Sequence, residues 1–299
     1  MTAPRPQPRI GLVLHPTRDP GAAAERLVAW AHSHDSDVFV REQDAARCPD
    51  GVHAIPEAEL VSQSEALVSL GGDGTLLGAL RLAAGSPVPV LGVNLGHLGF
   101  LVEVEPHELP SALDRIEAGD FTVEEHSAVV AKRGKDKLVA FNDLALARVP
   151  GEGVVRASLE VDGRRSGLYR CDAIVISTAL GSTAYAYAAG GPVVSPALDA
   201  VIVAPAAPQS GISRPMVLSG SEPITLRLDM AGGAPALEVD GTAQGRCTAA
   251  DPIEVHLQSR AGLVVRLDAE RHLARNQLKL SLLDLPFLPE EIRDIAPGR

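Results

Sequence analysis

Residues Ser69–Leu82 read SLGGDGTLLGALRL, an apolar run that ends in Gly71-Gly72-Asp73-Gly74-Thr75 before a second apolar run begins. The run EALVSL, ending at Leu70, has strand character. Beyond the glycines, Leu76, Leu77, Leu80 and Ala84 recur at i, i+1, i+4 and i+8, the spacing of one helix face. Strand, glycine turn and helix in succession form the basic unit of an α/β sheet, and its turn lies on the side where such sheets bind ligands. The unbonded N–H groups and the dipole of a helix start favour phosphate. Glycines let the backbone approach an anion closely. An acid among them is repelled by phosphate unless it faces a metal or a proton it can accept. A sugar hydroxyl attacking a phosphoryl group supplies such a proton. A plain tight turn is the alternative, but it does not call for an acid between glycines.

Working outward, RIGLVLHP from Arg9 reads as a buried strand, GAAAERLVAWAHSH from Gly21 as a helix with Leu27, Trp30 and Ala31 on one face, and DVFV from Asp37 as a second strand. VPVLGVN, ending at Asn94, is another strand, and PHELPSALDRIEAGD predicts a helix from near Pro106 to Gly119. This alternation predicts an α/β N-terminal domain with a parallel sheet. After Gly119 the rhythm changes to short strands at turn spacing: FTVEEHSAVVAK, KLVAFNDLALAR, VVRASLEVDG, RRSGLYRCDAIVIST, PITLRLDM, PALEVDG, DPIEVHLQ and GLVVRLD. They predict a mostly-β second domain. The expected division is 1–119, 120–270 and a charged C-terminal tail, 271–299, with helical character in EEIRDIAPGR.

Composition narrows the function. With 45% apolar residues the 299-residue chain can build two cores, and at 3% aromatic content those cores are aliphatic. A formal charge of −11 repels nucleic acid and anionic lipid, so neither is an expected partner. Cys48, Cys171 and Cys247 are scattered and odd in number, which predicts free thiols in a reducing, cytoplasmic setting. The polar, proline-broken MTAPRPQPR has no signal-peptide core, and no apolar run approaches the ~18 residues of a membrane span. No Walker lysine motif, G-x-G-x-x-G spacing, H-E-x-x-H, Cys/His cluster or G-x-S-x-G is present. No protein metal site is therefore expected, and hydrolase chemistry lacks its usual signatures.

A second glycine- and hydroxyl-rich stretch, STALGSTAYAYAAGGPVVSPAL from Ser177, follows the strand AIVI and holds Thr183, Tyr185 and Tyr187. Hydroxyls with an aromatic ring suit a nucleoside; a structural connection with one buried tyrosine is the plainer reading. Asn142 and Asp143 interrupt what reads as one apolar strand, FNDLALAR, where two adjacent polar residues need partners. Arg170-Cys171-Asp172 precedes AIVIST, so that Asp172 is either a site residue or half of a structural salt bridge. NLGHLGF, from Asn94, either lines the cleft or makes a glycine turn, and His97 in it is not expected to be catalytic.

Taken in this order, GGDGT, NLGHLGFL, the Asn-acid pair and STALGSTAYAYAAGGP resemble the NAD kinase family over about residues 9–270. GGDGT is shared with diacylglycerol- and sphingosine-type lipid kinases and with phosphofructokinases, whereas GSTAY followed by GGP is the more specific part. The resemblance implies transfer of the ATP γ-phosphoryl group, with Mg²⁺ or another divalent cation, to the 2′-hydroxyl of the adenosine ribose of NAD. It also implies a β-sandwich second domain, a homodimer or homotetramer, and a tail that packs back on the first domain. It makes Asp73 the catalytic base. Gly71, Gly72, Gly74 and Thr75 would hold phosphates, Asn142 and Asp143 the nucleoside, Arg170 and Asp172 the rest of the dinucleotide, and Thr183, Ala184 and Tyr185 the adenosine, with Ala188 a further cofactor-binding residue. The chain departs from the usual pattern at Gly78 (often basic), Asp143 (usually Glu), Ala188 (commonly Ser), Gln209 (His) and Thr242 (Gln). Two other functions remain open on sequence: a lipid or sugar kinase of the same superfamily, and a non-catalytic NAD(P)-binding sensor.

Overall fold

The computed structural model describes residues 8–96, 101–247 and 252–268. His126–Ala261 form one compact unit, and the described residues before it, with those from Gly262 on, form another. His97 through Phe100 and the proposed tail lie outside the described residues.

In the first unit, β1 (Arg9–Leu14), β2 (Asp37–Arg41), β3 (His53–Ile55), β4 (Ala66–Gly71) and β5 (Pro89–Asn94) are joined by the last part of β18 (Ile253–Arg266). The sheet order is β18-β5-β4-β1-β2-β3, with every adjacent pair parallel. Parallel neighbours need crossovers. These are supplied by α1 (Gly21–Ser33), α2 (Glu57–Gln63) and α3 (Asp73–Ala83), with α4 (Leu109–Ala118) following β5. Leu27, Trp30 and Ala31 of α1 and Leu109, Ala112 and Leu113 of α4 are buried in one core with β1, β4 and β5. The helix predicted from Pro106 starts at Leu109, because Pro110 has no N–H and fits only the first turn. It stops where predicted, at Gly119, whose φ of 72° suits glycine.

The sheet grows outward in opposite directions from β1 and β4, which makes that pair the switch point of the topology. Open α/β sheets bind ligands outside the carboxyl ends of the strands at this point. His15 N–H donates to the Leu70 carbonyl at 2.9 Å, so the two strands deliver their following loops side by side. The loop after β4 is GGDGT.

The second unit is a β-sandwich. One sheet runs β14 (Met216–Ser219), β12 (Ala200–Ala206), β11 (Ala173–Thr178), β8 (Asp143–Ala147), β16 (Ala236–Val239), β17 (Thr242–Arg246), antiparallel throughout. Facing it are β13 (Ser210–Gly211), β10 (Arg164–Cys171), β9 (Val155–Val161), β15 (Ile224–Leu228) and the first part of β18, with β6 (Thr122–Arg133) beside β18 and β7 (Asp136–Ala140) beside β6. Leu144, Leu146, Ile174, Ile176, Val201 and Val203 meet Ala157, Leu159, Leu226 and Val255 in the shared core. The alternate residues Ala145, Val175, Ile202 and Ala204 are buried against Ala186 of α5 (Tyr185–Ala188). That second covering explains why AIVIST is buried without alternation.

Two stretches read as single strands are each divided. KLVAFNDLALAR breaks between β7 and β8, and RRSGLYRCDAIVIST breaks at Asp172 between β10 and β11, the chain changing sheets each time. Asn142 and Asp143 therefore do not interrupt a strand; they occupy the crossing and the start of β8. The separate strands DPIEVHLQ and GLVVRLD are instead one, β18, with Arg260 at φ 55°. Among the described residues no helix is long and apolar enough to cross a membrane. The three cysteines are free thiols.

Candidate active site

Asp73 is the first residue of α3, and Thr75 and Leu76 donate to the Gly72 carbonyl at 3.0 and 3.1 Å. The amides of Asp73 and Gly74 lie in the first turn, where no intrahelical carbonyl reaches. The three glycines differ in purpose. A Cβ on Gly71 would stand 2.6 Å from Thr75 Cβ, so the fold itself requires glycine there. A Cβ on Gly72 or Gly74 would meet nothing within 4 Å, and neither residue has positive φ. Neither crowding nor backbone conformation explains those two glycines. The Asp73 carboxylate is oriented by the backbone: its Oδ1 accepts from Leu101 N–H at 2.9 Å and Val102 N–H at 3.3 Å.

In the second unit the polar crossing between β7 and β8 is held from a distant hairpin. Asp240 Oδ1 accepts from the amides of Asn142 (2.7 Å) and Asp143 (3.1 Å), and its Oδ2 from that of Phe141 (3.2 Å). Asp240 and Gly241 sit at φ 45° and 73° between β16 and β17, a two-residue turn of primed type. The Asn142 carbonyl accepts from Ser177 Oγ and Thr178 N–H, both at 3.0 Å. A Cβ on Gly181 would come within 2.6 Å of Asn142 Cα, so glycine is needed there for packing. The backbone at Asn142 is thus pinned on several sides, while its half-exposed side-chain amide has no hydrogen bond among the described residues.

The Asp143 carboxyl is buried and its pKa is raised from 3.8 to about 7. Burial is the main cause, followed by the Asp240 charge. The Tyr185 backbone N–H opposes the shift, and Glu238 adds to it. At neutral pH Asp143 therefore exists in both forms, donor and acceptor. The Tyr185 phenol is pushed up by burial and by Glu238, Asp143 and Asp172. These residues form one cluster around the start of α5. Among the described residues no group of three or more His, Cys, Asp or Glu is placed to hold a metal ion.

Comparison with known proteins decides the lineage. Residues 10–121 match the model of the ATP-NAD kinase N-terminal domain and residues 141–267 that of the C-terminal domain. An NAD kinase of Heliobacterium modesticaldum is 34% identical over 269 residues, covering 87% of this chain and 94% of the relative. The chain belongs to the NAD kinase family. It is an enzyme of that kind. Among solved structures, a yeast NADH kinase complexed with NADH is similar with a TM-score of 0.78 and 25% identity, covering 95% of this chain and 90% of that one. An NAD kinase from Archaeoglobus fulgidus in complex with ATP gives 0.71 and 26%, covering 91% and 98%.

For an NAD kinase, the remaining expected residues distribute as follows. Thr183 and Ala184 are half-buried on the turn into α5, Tyr185 is 37% exposed, and Ala188 is exposed at the end of α5. Asp172 does form a salt bridge, but with Arg148 at 3.0 Å and not with its neighbour Arg170. Arg170 is exposed on β10, and its carbonyl accepts from Gln209 N–H at 2.8 Å, which brings one family departure beside it. Gly78 is half-buried in α3 with only Arg81 Nη2, at 3.8 Å, near a would-be Cβ, and Thr242 is exposed directly after the Asp240–Gly241 turn. Sequence reasoning passed over Asp240, Glu238 and Arg18. Arg18 follows β1 at the switch point, its Nη1 3.4 Å from the Leu95 carbonyl, and Arg47 Nη2 donates to the His15 carbonyl at 2.8 Å. A cation gathered at the ligand end of a strand, in so acidic a chain, was the available signal.

Proposed function

We propose that the chain transfers the γ-phosphoryl group of ATP to the 2′-hydroxyl of the adenosine ribose of NAD, giving NADP and ADP. Asp73 accepts the hydroxyl proton as the oxygen attacks, and ADP leaves with the electron pair of the broken P–O bond. The amides of Gly72, Asp73 and Gly74 hold phosphate oxygens, with Gly71 and Thr75 shaping the turn. Asn142, Asp143, Thr183, Ala184 and Tyr185 hold the nucleoside, and Arg170, Asp172 and Ala188 line the rest of the dinucleotide's place. The observation that carries the reading is the pair of glycines flanking a backbone-oriented acid, with open space above both and no structural need for either.

A divalent cation such as Mg²⁺ fits this site only as a companion of the triphosphate. With no group of three or more His, Cys, Asp or Glu placed to hold an ion among the described residues, the cation would be held mainly by the oxygens of the triphosphate, which leaves Asp73 to the hydroxyl proton. Bound there, the cation neutralises charge on the phosphate oxygens. Positioning and electrostatics supply most of the acceleration, and the Asp73 carboxylate about 10²–10⁴-fold.

We further infer a cytoplasmic homodimer or homotetramer. The free thiols support the compartment, and Leu168 and Val217, each 50% exposed, offer apolar surface for assembly. Light scattering on a sizing column tests the assembly. The activity is tested by incubating purified protein with ATP, Mg²⁺ and NAD and measuring NADP with an NADP-specific dehydrogenase. Absence of NADP, or binding of NAD without turnover, refutes the reading. Phosphorylation of a lipid or sugar in its place assigns the loop to the other branch of the superfamily.

A further inference from the structure

Arg266, at the end of β18, is 4% exposed. Its Nε donates to Glu124 Oε2 at 2.5 Å, and its Nη1 lies 3.3 Å from Glu103 Oε1. Glu103 is itself 7% exposed. Burying a guanidinium between two carboxylates has a desolvation cost that the pairing only roughly offsets, and apolar replacement of such groups is often neutral or stabilising. The neighbours Val264 and Val265 show that this strand end accommodates apolar side chains. Stability alone therefore does not explain an arginine here.

The direction of its remaining bond does. Nη1 also donates to the Leu101 carbonyl at 2.7 Å. That carbonyl belongs to the peptide unit whose N–H is Val102, and Val102 N–H donates to Asp73 Oδ1 at 3.3 Å, alongside Leu101 N–H at 2.9 Å. The Leu101–Val102 peptide thus has the guanidinium on its oxygen and the Asp73 carboxylate on its nitrogen. A cation on a carbonyl polarises the amide and strengthens what its N–H donates. It also fixes the peptide plane, and with it the plane of the carboxylate.

We propose that Arg266 is a positioning residue for the phosphoryl transfer, acting on Asp73 through the Leu101–Val102 peptide, with Glu103 and Glu124 holding the guanidinium in place. The proposal rests on the reading of Asp73 as the base. Misplacement of a reacting group by about 1 Å costs on the order of 10²-fold in rate, so Arg266→Met lowers kcat by about 10–100-fold. KM for ATP and NAD stays within about twofold, because Arg266 touches neither substrate.

The test is a double-mutant cycle on the full chain, with the folded fraction quantified by circular dichroism and rates expressed per folded enzyme. Arg266→Met is expected to lower kcat in the wild-type background and to have little further effect in Asp73→Asn. Arg266→Lys, which restores a cation but not the fork, recovers part of the loss. Should Arg266→Met not fold, Glu124→Gln loosens the guanidinium from the partly exposed side and shows the same masking by Asp73→Asn at smaller size. Equal loss in both backgrounds, an unchanged kcat, or a rise in KM alone overturns the positioning role. If Asp73→Asn itself leaves kcat intact, the base assignment fails, and this proposal with it.

Discussion

Gly74→Ala separates the chemistry of the GGDGT loop from its architecture. The substitution adds one methyl at the second residue of α3, where it meets no atom within 4 Å and the backbone is compatible with alanine. Replacing glycine by alanine in a helix gains up to about 1 kcal/mol, and about half of that is expected in a first turn. The variant should therefore melt at the wild-type temperature or a degree or two higher. The same methyl projects into the space assigned to phosphate, so kcat/KM for ATP should fall by about 10–100-fold. Gly71→Ala is the control with the opposite signature. Its Cβ collides with the Thr75 side chain, an overpacking that costs about 1–3 kcal/mol, and the melting temperature drops by several degrees. The assay is thermal melting by circular dichroism beside initial rates of NADP formation at varied ATP. A Gly74→Ala enzyme with kcat/KM within about twofold of wild type refutes the claim that the loop is open for phosphate.

Asp143 ties stability to pH. Its carboxyl binds a proton more tightly folded (pKa about 7) than unfolded (3.8), so its contribution is full below 3.8 and is lost as pH rises through about 7. Asp143→Asn should remove a decline of about 2–3 kcal/mol between pH 5 and 8; parallel melting curves for the two proteins across that range contradict the burial argument. Asp240→Ala leaves the amides of Phe141, Asn142 and Asp143 without their acceptor and puts alanine at φ 45°, a loss of about 2–4 kcal/mol. Asp240→Asn keeps an acceptor and tolerates that φ, so chemical denaturation should place it well above the alanine variant. Tyr185→Phe removes a partly exposed hydroxyl from the proposed nucleoside site. It should raise KM for NAD several-fold with kcat nearly unchanged, and a fall confined to kcat contradicts that role.

The α/β half was legible because its signals are local. The periodicity of α1 and α3, the glycines after β4 and the stop at Gly119 each declare an element within a few residues. The sandwich was legible in kind but not in its joints. At Asn142 and at Asp172 the chain leaves one sheet for the other while its apolar alternation continues, so a period-two pattern passes through the break unseen. The candidate site divides in the same way. Gly72, Asp73, Gly74 and Tyr185 announce themselves by composition, whereas Asp240 and Arg266 act on residues about 100 and 165 positions away, and only the fold brings them near. Even the polar pair at Asn142 has its explanation in that distance, since its backbone partners come from a hairpin late in the chain.

The parallel sheet that carries Asp73 has for its outer strand a segment ending at Arg266. A ribosome delivers that segment long after the rest of the sheet has emerged. A chain ended before Arg266 thus carries the glycine loop complete in sequence but without the guanidinium that donates to the Leu101 carbonyl.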